Sequence, residues 1–283
     1  MVTARWTVGT GRGRRAAGGV VLLLASALLS GCLTSAGRFG SPVPVSVRTE
    51  VVTANGRSLR TVVRVPDVAG PLPLVVFAHG YNSSPEAYGP LLDAWASAGF
   101  EVAAPASPGL SVDAGPLNRA ESWRQPGDLS AVITQLVAEG GIDTSRIAVA
   151  GHSDGGTNVA RMALSPAFRD PRVTATLVLS GALPADRDGR GVGPMLVAVG
   201  DRDEFGNWPG TAGVYFATPP PRAFIRMERG AHLTNYVDNS VLGRAIRAAT
   251  TDFLVAALRY GPWDDFHVSA NIGGLHLAQQ GLF

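Results

Sequence analysis

The stretch Ile147-Ala148-Val149-Ala150-Gly151-His152-Ser153-Asp154-Gly155-Gly156 constrains this chain more than any other. An apolar run with β-branched residues stops at Gly-x-Ser-x-Gly, and a small-residue helix pattern (Val159, Ala160, Ala163, Leu164) follows at once. That order predicts strand, sharp turn and helix, with a serine on the turn. Such a turn holds Ser153 in a strained backbone conformation that pushes its Oγ out above the sheet edge. Gly151 and Gly155 lack the side chains that would collide in so tight a bend. The helix N-terminus aims backbone N–H groups at the same spot, where negative charge is stabilised. With 35 glycines in 283 residues the bare pattern is cheap, and its placement between strand and helix carries the information.

Around this turn the chain reads as strands alternating with helices. Val45–Val52 and Leu59–Val65 flank the Asn55-Gly56 turn signal as an antiparallel pair. Leu74–Ala78, Phe100–Ala104, Arg146–Ala150, Val173–Leu179, Met195–Val199 and Phe224–Met227 are short apolar runs of the kind buried in parallel sheets. Helices are expected from Ser84-Pro85 to Gly99, from Pro126 to Glu139, after Ser153, and over Val241–Tyr260. This is an α/β class with a mostly parallel sheet covered on both faces. Its chemistry belongs beyond the carboxyl ends of the strands. The segment Ala182–Gly193 is too short for a helical lid. Pro105–Asn118 and Glu204–Pro221 are the long loops available to line a cleft, and Tyr81, Trp123, Trp208 and Tyr215 are its aromatic candidates.

A serine hydroxyl is a weak nucleophile and needs a base, and the base needs a carboxylate to fix its tautomer. Among five histidines, His232 lies on the loop after the last parallel strand and is the expected base. Asp203, in Gly200-Asp201-Arg202-Asp203, is the expected acid, with Asp201 and then Asp186 or Asp188 as rivals. A calcium loop at Asp201-x-Asp203 is excluded, because Phe205 and Ala212 fall where ligands are needed. No metal or cofactor is expected.

The order Ser, Asp, His on a strand–turn–helix elbow resembles the α/β-hydrolase superfamily. The resemblance spans roughly Val45 to Tyr260 and rests on Ala78-His79-Gly80, Gly151–Gly156, Gly200–Asp203 and Gly230-Ala231-His232. Within it, Gln125-Pro126-Gly127-Asp128-Leu129 looks like the cutinase-like polyester hydrolases, the plasma-type platelet-activating-factor acetylhydrolases and the dienelactone-hydrolase group. The resemblance implies Ser153 as nucleophile, Asp203 as acid and His232 as base. It implies an oxyanion hole made by the N–H groups of Tyr81 and Asp154, and a structural role for His79. Asp154 departs from the pattern, since relatives often carry an uncharged side chain there. It is expected to have a supporting partner, such as an arginine or backbone amides. The activity implied is carboxylic ester hydrolysis through an acyl-enzyme, on a small or polymeric ester. The alternatives are an acyltransferase with the same triad and a catalytically silent surface-binding lipoprotein.

Residues 1–31 read as an export signal. They hold Arg5, Arg12, Arg14 and Arg15, no acid, and the apolar run Val20–Leu29. Leu29-Ser30-Gly31-Cys32 resembles the bacterial lipobox, so Cys32 is expected to carry lipid. The expected address is the outer face of the cytoplasmic membrane, with secretion as the alternative. Cys32 is the only cysteine, which excludes an intramolecular disulfide. Removing the four signal arginines from 24 basic residues leaves 20 against 22 acidic ones, a net charge of −2. A mature chain of that charge has no electrostatic footprint for nucleic acid. Residues 32–44 are expected as a tether, 45–260 as the domain, and 261–283 as a tail packed on or beside it. A monomer is expected.

Overall fold

The computed structural model describes residues 41–188, 190–191, 193–206, 208–258 and 274–280. Among the described residues nine strands form one sheet: β1 (Val45–Ala54), β2 (Arg57–Pro66), β3 (Leu72–Ala78), β4 (Glu101–Pro105), β5 (Ile142–His152), β6 (Ala175–Leu179), β7 (Met195–Gly200), β8 (Arg222–Met227) and β9 (Leu275–Gln280). Their order across the sheet is β1-β2-β4-β3-β5-β6-β7-β8-β9. Across the sheet the strands from β4 to β8 run parallel, and antiparallel pairing adds β2 and then β1 at one edge and β9 at the other. The helices are α1 (Gly89–Ser97), α2 (Gln125–Glu139), α3 (Asp154–Leu164), α4 (Trp208–Ala217), α5 (Thr234–Val237) and α6 (Val241–Leu258). Short 3₁₀ turns, Pro85–Tyr88 and Arg119–Arg124, precede α1 and α2. This is the α/β architecture expected from the alternating pattern.

The two faces of the sheet carry separate cores, and the strand period divides residues between them. Val75 and Phe77 of β3 join Leu91, Trp95, Ile246 and Phe253 on the side of α1 and α6. Leu74, Val76 and Ala78 join Leu129, Ile133, Val159 and Met162 on the side of α2 and α3. All seven residues of β3 are buried, which is why its sequence is a continuous apolar run. Trp95 is wholly buried and donates its indole N–H to Thr250 Oγ1 at 3.0 Å, tying α1 to α6.

From β3 the chain crosses to β4 on one side, then returns to β5 on the other. The crevice beyond the carboxyl ends of β3 and β5 is therefore the topological switch point, where such sheets bind ligands. Tyr81 and Ser153 both emerge there.

Two segments differ from expectation. Glu204–Pro221 is not a plain loop, since residues 208–217 form α4. Its sequence hides it, because Pro209, Gly210 and Gly213 are poor helix formers and apolar residues surround the whole helix. The expected C-terminal tail supplies β9, which pairs with β8 through Leu275–Met227 and Leu277–Ile225 and buries Leu275. Cys32 and the signal and tether of residues 1–40 lie outside the described residues.

Truncating Trp95 to Ala removes the largest fully buried side chain among the described residues and an inter-helix hydrogen bond. The expected loss is about 3–5 kcal/mol of stability, read as a lower urea midpoint with an unchanged slope.

Candidate active site

Ser153 stands between β5 and α3 with φ 58° and ψ −121°, a region that a residue with a side chain enters only under constraint. The constraint is backbone packing. A Cβ on Gly155 would sit 2.1 Å from the Ala78 carbonyl oxygen, so only glycine lets the elbow meet the end of β3. Across the elbow, the Ser153 N–H donates to the Leu179 carbonyl at 2.9 Å.

The structure brings Ser153, His232 and Asp203 together. Ser153 Oγ lies 2.8 Å from His232 Nε2, and Asp203 Oδ2 lies 2.7 Å from His232 Nδ1. The carboxylate requires Nδ1–H as donor, which leaves Nε2 to accept the serine proton. The Asp203 side chain is wholly buried, and its other oxygen accepts the Phe205 N–H at 3.0 Å. The acid and base loops are set by a second close approach, where a Cβ on Gly200 would sit 2.1 Å from the Gly230 carbonyl oxygen. The rival acids stand elsewhere. Asp201 binds Arg226 and the Arg229 N–H, Asp186 accepts from Ser165, and Asp188 pairs with Arg169.

The His232 backbone is held at both ends. Its N–H donates to Glu204 Oε2 at 2.9 Å, and its carbonyl accepts from His152 Nε2 at 2.8 Å. That second bond fixes the tautomer of His152, whose Nδ1 accepts the Tyr88 hydroxyl proton at 2.8 Å. The His152 ring packs 4.7 Å from that of His232 and 5.0 Å from that of Tyr236, centroid to centroid. Burial, with the neighbouring His232, pushes His152 down to about 3. His79 is equally enclosed. Its Nε2 accepts the Ser107 N–H at 3.1 Å, its Nδ1–H donates to the Gly80 carbonyl at 2.8 Å, and burial pushes it down to about 4. Gln125 closes the same network by donating to the His79 carbonyl at 3.1 Å and accepting from Asn158 at 2.9 Å. The Gln125–Leu129 motif thus acts as internal scaffolding. Its Asp128 pairs with Arg57 at 3.2 Å, and burial lifts its carboxyl to about 6.

Ser153 opens into a cleft of about 540 Å³. Of the aromatic candidates only Tyr81 lines it. Trp208 and Tyr215 pack instead on Phe224, and Trp123 lies under the Arg124 guanidinium away from the cleft. The apolar wall comes from Phe205, Leu233 and Ala182, none of which stands out in the sequence. Phe205 is 72% exposed and rests edge-on against His232, 4.7 Å between centroids.

Tyr81 and Asp154 face this cleft from opposite sides of the switch point. Neither of their backbone N–H groups has an acceptor among the described residues. The Asp154 carboxylate does have a partner: Arg119 grips it in a fork, Nε to Oδ2 at 2.8 Å and Nη2 to Oδ1 at 2.6 Å. The arginine lies just beyond the loop Pro105–Asn118. A hydrogen-bonded hydroxyl, an imidazole poised to take its proton, a buried carboxylate and two vacant N–H donors can carry acyl transfer.

A family model described as Chlorophyllase, an α/β-hydrolase type, matches residues 38–181, just over half of the chain. No curated protein matches the sequence. Among solved structures, a puromycin hydrolase superposes with a TM-score of 0.64 at 21% identity, over 75% of this chain and 39% of that one. A 2,6-dihydroxy-pseudo-oxynicotine hydrolase gives 0.61 at 19% identity, over 75% and 68%. A Mycobacterium tuberculosis puromycin-hydrolyzing peptidase gives 0.60 at 20% identity, over 77% and 40%. This chain spans about two fifths of the length of the two puromycin-cleaving proteins. At these identities the likeness is one of fold, and it is the α/β-hydrolase fold.

The buried histidines predict acid lability. His79 and His152 sit at about 4 and about 3 in the folded chain, against 6.5 when free. The unfolded chain therefore binds more protons as pH falls below 6.5. The stability they contribute is complete above that pH and is lost as pH falls toward 4 and then 3. Each removes up to ~1.4 kcal/mol per pH unit. Urea midpoints should drop between pH 6.5 and 4.5, by less than two protons' worth because Asp128, raised to about 6, takes up a proton in the folded chain over the same window, and His152→Gln should flatten the slope by about one proton. An unchanged slope would refute the assignment.

Proposed function

The chain belongs to the Chlorophyllase family of serine-type α/β hydrolases, and from that premise we propose that it cleaves carboxylic esters through an acyl-enzyme on Ser153. The observation that carries this reading is the unbroken hydrogen-bonded chain from Ser153 Oγ through His232 to Asp203, at 2.8 and 2.7 Å. Ser153 Oγ attacks the ester carbonyl carbon as its proton passes to His232 Nε2. The negative charge that develops on the carbonyl oxygen is met by the N–H groups of Tyr81 and Asp154. Such a donor is typically worth ~3–4 kcal/mol of transition-state stabilisation. Asp203 stabilises the imidazolium, which then protonates the departing alkoxide. Water, deprotonated by His232, releases the carboxylic acid and restores Ser153.

Esters rather than amides are supported by the chemistry of the leaving group. An alcohol leaves the tetrahedral intermediate more readily than an amine, so the same triad and two N–H donors turn over an ester faster than an amide. The walls offered by Tyr81, Phe205 and Leu233 suit a modest acyl group or one unit of an extended polymer. We also infer, from the lipobox-like sequence alone, an exported lipoprotein held to the membrane through Cys32.

Wild-type protein should label with a fluorophosphonate probe, and Ser153→Ala should not. Equal labelling of the two would remove the catalytic assignment. Nitrophenyl acetate and butyrate should be hydrolysed faster than the palmitate, and the matching anilides far more slowly. Anilides turned over as fast as esters would overturn the ester reading. Wild-type protein expressed with a labelled fatty acid should take up the label and Cys32→Ala should not, and equal labelling of the two would refute lipid anchoring at Cys32.

A further inference from the structure

The residue beside Ser153 poses an electrostatic problem. Asp154 supplies one N–H of the proposed oxyanion hole, yet its own side chain is a carboxylate only 14% exposed. A fixed negative charge so close to a developing oxyanion opposes the reaction, because little water screens it. Arg119 answers that problem with geometry. Its fork engages both oxygens of Asp154. The same guanidinium carbon lies 5.7 Å from the centre of the Tyr81 ring, within cation–π range. One side chain therefore touches both residues whose N–H groups face the cleft.

The segment that presents Arg119 is pinned in place. The Asn118 N–H donates to the Gly109 carbonyl at 2.7 Å, and the Asn118 side chain caps the turn by accepting from Ala120. One turn further on, Asn158 of α3 donates to both the carbonyl and the hydroxyl of Ser122. The turn is thus fastened to the helix that begins with Asp154. Arg119 itself is 68% exposed, so the fold does not depend on burying it.

We propose that Arg119 is a positioning residue of the oxyanion hole: it cancels the charge of Asp154 and braces Tyr81, so that both N–H donors meet the oxyanion without an opposing carboxylate. This rests on the hydrolase reading above. A mere mechanical strut would be lost with the arginine however Asp154 was altered. Charge cancellation makes a different forecast, since removing the carboxylate as well should undo the damage.

The test compares second-order labelling by an uncharged fluorophosphonate, together with kcat and KM on nitrophenyl butyrate. Arg119→Ala should lower the labelling rate and kcat by roughly 10- to 100-fold, with KM within about twofold. The Arg119→Ala/Asp154→Asn double variant should recover about tenfold of that loss, and Arg119→Lys should lie between wild type and Arg119→Ala. Thermal melts of all four proteins should coincide within a few degrees. Arg119→Ala equal to wild type, a double variant as slow as Arg119→Ala, or a change confined to KM each overturns the proposal. A wild-type chain that does not label overturns the hydrolase reading and this proposal with it.

Discussion

The arrangement of the cleft depends on one backbone contact, the approach of Gly155 to the carbonyl of Ala78. No side chain fits between them, since a Cβ there would meet the oxygen at 2.1 Å. The end of β3 and the start of α3 are therefore held at a distance set by bare backbone. Tyr81 follows β3 and Asp154 begins α3, so the same contact sets the span between the two N–H donors. Ser153, one residue earlier, inherits its strained φ from it. Strain of this kind, typically ~1–3 kcal/mol, persists only where surrounding packing over-determines it. Here the packing is a strand buried along its whole length.

The chain divides its histidines by environment. His79 and His152 are enclosed, neutral and locked by partners on both ring nitrogens. They behave as rigid polar spacers that satisfy buried backbone groups. His232 is held by its backbone on two sides and by Asp203 on its ring, and its remaining nitrogen faces Ser153. The Tyr88–His152–His232 series thus links the turn before α1 to the loop after β8. A buried network of this type specifies one geometry because every member is satisfied.

Much of this was legible in the sequence, for identifiable reasons. The parallel strands are fully buried and so spell continuous apolar runs, as Leu74–Ala78 does. The elbow announces itself because only glycine fits at 151 and 155. Asp203 and His232 follow predicted strands, where an α/β sheet places its chemistry. The structure separates Asp203 from Asp201, which three-residue spacing alone could not do. Helix α4 escaped because it combines glycines and proline with apolar residues on all sides. Strand β9 escaped because Leu275 and Leu277 are too few to signal a strand far from its partner in sequence. Phe205 and Arg119 carry no local pattern. Their positions are set by tertiary neighbours, His232 for one and Asp154 for the other. The need for a partner at Asp154 was legible as a charge problem. Which of 24 arginines meets it was not.

The antiparallel register of the first two strands has a practical consequence. Val45 pairs with Pro66, and the Val43 N–H donates to the carbonyl of Ser97, at the close of α1. Both contacts lie where the parallel strands begin, whereas the cleft lies where they finish. The polypeptide thus enters the domain at the pole opposite its reactive opening. A bead, a surface or a fusion partner joined ahead of residue 41 would grip the molecule by its base and leave the mouth pointing outward. For immobilised use, the amino-terminal side is the handle this architecture provides.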